Sequence, residues 1–229
     1  MLEQKLQLTQ RDEERLTKWM KLYGPQETGY ACLYRAEDID LVRKFVTKEK
    51  FYLDLEETKL TDEFIHQIER KLNDHHDAGF EIDGKKVEFL DCSKALDLPT
   101  IQGLHLLCRH CIVAISLPRY MGVGNDTREA RVYQQQLFNE FGTRADMNNA
   151  PEGSITRVNQ SLKWIGIFPA SFPTVTVVEM GVFNVLSGYT TGTLFNRIVF
   201  TQFPIAHTAG GTAFTVATLI NFLPQTKYE

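Results

Sequence analysis

Cysteine is sparse in this 229-residue chain. Its four thiols, Cys32, Cys92, Cys108 and Cys111, are too few and too scattered for the disulfide framework of a small secreted fold. Long apolar runs are missing too: no uninterrupted stretch approaches the roughly 18 residues that cross a bilayer, so no membrane association is expected. The start, Met1-Leu-Glu-Gln-Lys-Leu6, has neither the basic patch nor the apolar stretch of a signal peptide, and synthesis in the cytoplasm is the expectation. Nor is there an excess of base. Lys and Arg number 25 against 29 Asp and Glu, a net charge of −4, which argues against a dedicated nucleic-acid binder. What is present is a 43% hydrophobic composition with 11% aromatics, enough to build a real core in one large domain or two small ones.

The average conceals a boundary near Leu98. Residues 1–98 carry 16 basic and 22 acidic side chains, whereas residues 99–229 carry 9 and 7. The second part also holds ten of the fifteen Phe. A charged, mainly helical part over 1–98 is therefore expected, followed by an apolar connecting helix over 99–117 and a turn-rich β part over 118–229. The absence of a low-complexity linker suggests that the two parts pack together.

Local signals support helices in the first part. Thr9 and Asp12 form a capping-box-like start, Leu16, Trp19, Met20 and Tyr23 recur at helical spacing, and Gly24-Pro25 supplies a stop. Further helices are expected over Ala36–Val46 and from Thr61 through Leu72. Between Phe80 and Phe89 the pattern alternates around Asp83-Gly84, a hairpin signal because both residues tolerate positive φ.

Two clusters invite a chemical reading. Asp74-His-His-Asp77 offers four metal-ligand types in a row, but adjacent side chains diverge, and a polar helix end accounts for it. Cys108-Arg-His-Cys111 is a CxxC without the second pair that a zinc site wants. Leu104, Leu107/Cys108, Cys111/Ile112 and Ile115 fall on one helical face, which reads as core packing, with a metal or redox role as the alternative. Met121-Gly-Val-Gly-Asn125 contains GxG without the remaining features of a dinucleotide fold, and GxxxxGK[ST], HExxH and GxSxG do not occur. No catalytic residue, metal ligand or cofactor is assigned, and the chain is expected not to be an enzyme.

From Arg119 the chain divides into short β-like pieces separated by turn residues. Strands are expected over Arg119–Gly124, Ile155–Phe168 (one long strand), Val175–Phe183, Gly192–Phe200 and Thr212–Phe222, with a polar, Gln-rich stretch from Ala130 to Phe141. Antiparallel pairing in a sandwich follows, making the whole chain α+β: helices and a hairpin, then an antiparallel β-sandwich.

Read in order, Gly122–Asn125, Leu137-Phe-Asn-Glu140, a strand containing Trp164, Glu179-Met-Gly-Val-Phe-Asn184 and Gly192-Thr-Leu-Phe-Asn-Arg197 carry a resemblance. This part, about residues 118–222, resembles a domain common among virion structural proteins of tailed bacteriophages. The matching positions are Glu179, Gly181, Phe183, Asn184, Gly192 and Arg197. In the motif, Glu179 near a strand end is able to accept from backbone N–H groups or from Arg197, and Gly181 permits a close approach or a bulge.

The resemblance implies a non-enzymatic structural protein, assembling in symmetric copies at the neck, collar or tail of a virion. Its partners would be other copies of itself and other virion proteins of the neck, portal, tail or capsid, with neither nucleic acid nor membrane. Trp19 and Tyr189 are the candidate assembly contacts. The alternatives are a capsid decoration protein and, in a different class, a small zinc- or thiol-dependent enzyme using Cys108 and Cys111. Insertions over 185–191 and 204–211 depart from the family pattern, and they are where fibre, collar and capsid-decoration relatives would differ.

Overall fold

The computed structural model describes residues 9–23, 26–48, 58–73, 75–100, 103–104, 118–131, 134–149, 151–158, 161–186, 193–201 and 204–221. Helix α1 (Gln10–Tyr23) starts as its sequence predicts. Thr9 Oγ1 donates to the Asp12 carboxylate at 2.5 Å, and the Asp12 N–H returns to Thr9 Oγ1 at 3.3 Å. Strand β1 (Gln26–Arg35) follows, then a 3-10 turn over Ala36–Asp38, and helices α2 (Ile39–Lys48) and α3 (Thr58–Leu72). Strands β2 (Gly79–Ile82) and β3 (Lys85–Glu88) form the expected hairpin, with Asp83 at φ 51° and Gly84 at φ 72° in the turn. Strand β4 (Asp91–Pro99) closes this portion of the chain.

The remainder is β: β5 (Tyr120–Gly124), β6 (Glu140–Asp146), β7 (Gly153–Val158), β8 (Ser161–Phe168), β9 (Val175–Val177), β10 (Glu179–Phe183), β11 (Leu194–Val199), β12 (Ile205–His207) and β13 (Thr212–Asn221). Nine strands form one antiparallel sheet in the order β6-β5-β10-β11-β4-β1-β13-β8-β7, and β12 pairs with β9 separately. The fold is α+β, as expected.

The composition boundary is not a break in the sheet. Strand β1 pairs with β13 along its whole length and with β4 on its other side, and β4 in turn meets β11 through Leu98 and Pro99. Two strands from the charged part thus sit at the centre of the sheet. Leu98 and Pro99 belong to β4, and most of the helix expected over 99–117 lies outside the described residues.

Two expected strands are each divided. The stretch from Ile155 to Phe168 is a hairpin of β7 and β8, registered from Gly153↔Gly166 to Val158↔Ser161. The stretch from Val175 to Phe183 splits at Val178 into β9, which pairs with β12, and β10, which joins the large sheet between β5 and β11.

The sheet curls on itself. Its two edge strands, β6 and β7, are consecutive in the chain, and at their junction Met147 N donates to Arg119 O and Ile167 N to Glu152 O, each at 2.8 Å. Met121 of β5 then packs on Gly166 of β8 across the interior. A Cβ on Gly166 would lie 2.8 Å from the Met121 sulfur, so a side chain there would push the layers apart. The enclosed core holds Trp164, whose Nε1 donates to Pro118 O at 2.9 Å and whose ring lies 5.0 Å from that of Phe195.

The outer face of β4, β1, β13 and β8 is covered by α2, α3 and the β2–β3 hairpin. Along β1 the side chains alternate between the two cores: Tyr30, Cys32 and Tyr34 face the helices, Ala31 and Leu33 the interior. Phe45, Phe64, Phe80 and Phe89 interlock in this second core, with Phe45 and Phe80 stacked at 4.4 Å. The result is sandwich-like packing with helices over one half of the outer surface.

Candidate functional site

The resembling motifs meet on the outer face of β10 and β11. Arg197 lies directly opposite Gly181, one pleat from Glu179 on the same face. Arg197 Nε donates to Glu179 Oε2 at 2.6 Å, and both side chains are fully buried. The ion pair anticipated from the sequence is made.

Residues 125–131 and 134–139, between β5 and β6, form a covering segment over the pair. Arg197 reaches up to it, donating to the carbonyl of Arg128 at 2.5 Å and that of Asp126 at 3.2 Å. Glu179 accepts from the backbone N–H of Asn139 at 2.9 Å and of Phe138 at 3.3 Å. One buried acid and one buried base thus hold both ends of the covering segment through its main chain. Two guanidinium groups lie over the Phe138 ring, that of Arg128 3.5 Å and that of Arg197 4.9 Å from its centre.

Asp126 adds a second anion, 2.7 Å from Arg128 and 3.5 Å from Arg197. Hydrogen bonds from the Arg128 side chain hold its carboxyl below the usual carboxylate range, with the Arg197 charge contributing less.

Glycines give this arrangement its room. A Cβ on Gly124 would lie 2.3 Å from the Asn139 carbonyl oxygen and 2.6 Å from Glu179 Oε1. One on Gly181 would lie 2.7 Å from Leu194 and 3.0 Å from Leu137 of the covering segment. Phe183 is fully buried beside Leu137 and Leu194. Asn184 closes the link between β10 and β11: its Oδ1 accepts from Thr193 N at 2.7 Å. Gly192 and Tyr189 lie outside the described residues. Trp19, on α1, is 53% exposed and well separated in sequence from this network.

Two further polar networks join it, and neither is evident from the sequence. Glu140 and Arg144 form a second buried pair at 2.6 Å, with the guanidinium stacked 3.4 Å over the Phe183 ring and donating to Val185 O. Asn196, next to Arg197 but on the interior face, accepts from Val182 N at 2.9 Å and donates to Glu27 of β1. Thr218 Oγ1 donates to the same Glu27 oxygen at 2.7 Å. The signal available for Asn196 was its place beside Arg197 in a strand whose other residues are apolar, since a polar group there must find partners when buried.

The other sequence clusters are placed as follows. Arg70 Nη2 donates to both carboxylate oxygens of Asp77, at 3.1 and 3.0 Å, which ties the end of α3 to the next turn, while His75 and His76 are exposed. Asp74, Cys108 and Cys111 lie outside the described residues. Among the described residues no group of three or more His, Cys, Asp and Glu is placed to hold a metal ion, and no helix is long and apolar enough to cross a membrane.

Two open cavities of about 420 Å³ flank the structure. One lies between Gln10, Glu14 and Lys18 of α1 and Glu129–Arg131 of the covering segment. The other lies near the β6 edge, lined by Arg43, Thr143, Glu152, Phe168 and Phe172.

What the motif residues do in this arrangement is fasten. The charged atoms of Glu179 and Arg197 point at each other and at main-chain groups, and the covering segment stands between them and solvent. Comparison of the chain with protein-family models, with curated proteins and with solved structures found no match.

Proposed function

We propose that this chain is a non-enzymatic structural protein of a tailed-bacteriophage virion, present in symmetric copies at the neck, collar or tail. The observation that carries the reading is the fully buried Glu179–Arg197 pair holding residues 126–128 and 138–139 to the sheet. Glu179, Gly181, Phe183, Asn184 and Arg197, through which the chain resembles virion proteins, are engaged in shape. A rigid two-layer body with fastened outer segments suits a subunit whose task is to present surfaces to its neighbours.

Exposed apolar side chains supply candidate contacts. Trp19 and Leu96 are 53% and 74% exposed, and α1 lies beside β4, which carries Leu96. Apolar surface of this kind is used at subunit interfaces, with aromatic residues as anchors.

The test is an averaged cryo-electron microscopy map of particles carrying this chain. A ring of about six or twelve copies on the axis of one vertex supports the reading. Copies spread over the shell would replace it with capsid decoration. A chain that never enters a particle would overturn both.

A further inference from the structure

We propose that Cys32 and Cys92 are the two halves of a disulfide site joining the middle strands of the sheet. The two residues are Cα partners in the antiparallel β1–β4 ladder. Opposed residues in such a ladder have Cα atoms about 4.5 or 5.5 Å apart, and both spacings fall in the range of about 4.4–6.8 Å that a disulfide spans. Direct opposition also sends both side chains to the same face. Both lie in the core beneath α2 and α3, fully or almost fully buried. Both are free thiols in the structure, and their Cα register allows a bond without a shift.

The surroundings decide when the bond forms. Burial pushes both thiols well above their ordinary pKa, and at Cys92 the neighbouring Cys32 sulfur adds to that effect. A protonated, covered thiol is a poor nucleophile, so the folded, reduced chain exchanges slowly. The bond therefore forms only while the chain is unfolded or folding in an oxidising medium, before α2 and α3 seal the face, and not in a reducing cytoplasm. With a small-molecule disulfide such as glutathione disulfide, one thiolate attacks a sulfur of the oxidant and releases one glutathione thiol. The second cysteine thiolate then attacks the mixed disulfide and releases the other. Two protons leave the cysteines, two electrons pass to the oxidant, and one S–S bond is made for the one broken. Once formed, the bond is shielded from reductant by the same core.

The experiment uses the full chain, unfolded in guanidinium with reductant and then refolded in parallel with glutathione disulfide or with reductant. Alkylation of remaining thiols and tryptic mapping follow. The site predicts a linked pair of peptides, residues 22–35 and 87–94, lighter by two hydrogens than the sum of the reduced peptides, only in the oxidised arm. It also predicts a higher guanidinium midpoint for that arm, lost after reduction in the unfolded state. A Cys92→Ser chain refolded alongside should lose both the linked pair and the shift. Recovery of Cys32 and Cys92 as free thiols, as glutathione adducts, or linked to the peptide of Cys108 (residues 95–109) or of Cys111 (residues 110–119) would overturn the proposal.

Discussion

Arg197 and Glu179 are 2.6 Å apart at full burial, and each also binds the main chain of the segment that covers them. Removing one partner leaves the other charge buried and unpaired, which costs about 3–5 kcal/mol. Arg197→Met should therefore lower the unfolding free energy by that amount in urea titrations. Amide exchange over 126–139 should accelerate more than exchange in α2 or α3, because the carbonyls of Asp126 and Arg128 lose their donor. A uniform increase across the chain would show that the pair stabilises the sheet without fastening this segment.

Gly124→Ala tests the same fastening from the opposite side. The added carbon would meet the backbone carbonyl of Asn139 at 2.3 Å, and a backbone atom cannot rotate away as a side chain can. Overpacking of this kind costs about 1–3 kcal/mol. Gly84→Ala is the comparison: space there is open, but φ is 72°, so the cost is about 1–2 kcal/mol from backbone strain alone. Only Gly124→Ala should speed amide exchange over 126–139. Equal effects of the two variants on that segment would show that Gly124 serves merely as a flexible joint.

His207 gives the fold a pH dependence of definite sign. Its ring is buried against Phe172 and Phe214, with Nε2 bonded to Phe172 O at 3.0 Å and Nδ1 to Thr212 Oγ1 at 3.1 Å. Loss of hydration lowers its pKa in the folded chain, outweighing the bond to Phe172. As pH falls below about 6.5, the unfolded chain takes up the proton first. The stability that the neutral ring contributes is therefore complete above that value and declines as pH falls toward the folded pKa. Urea midpoints measured from pH 7.5 to 5 should fall with a slope that His207→Gln reduces. Identical slopes in the two proteins would place the dependence elsewhere.

What the sequence made legible was what local chemistry decides. Thr9 with Asp12 starts α1, and Asp83-Gly84 turns the hairpin, because each signal acts within four residues. Strand β1 was missed for a reason set by its position. Tyr30 to Tyr34 is apolar throughout because both faces of a central strand are covered, so no alternation remains to be read. The β7–β8 hairpin was read as one strand because only two residues separate the arms, which leaves the period of two unbroken. Glu179 and Arg197 were visible as charges in apolar strands. The carbonyls and N–H groups that Arg197 and Glu179 hold were not, since main-chain partners leave no mark in the residue pattern.

The exposed pair Trp19 and Leu96 separates assembly from stability. Trp19 and Leu96 are 53% and 74% exposed, so Trp19→Ser and Leu96→Ser each remove a mostly solvent-facing side chain and should change the unfolding free energy by about 1 kcal/mol or less. Interface anchors behave otherwise, with truncation costing about 2 kcal/mol or more of association. If α1 and β4 together form the surface that meets a neighbouring subunit, both variants should purify as folded chains with unchanged midpoints. In particles assembled from a mixture with the parent chain, they should then be under-represented. Mass spectrometry of purified particles gives the ratio directly. Incorporation in proportion to supply, with midpoints unchanged, would remove Trp19 and Leu96 from the contact surface and leave the other faces of the sandwich to make it.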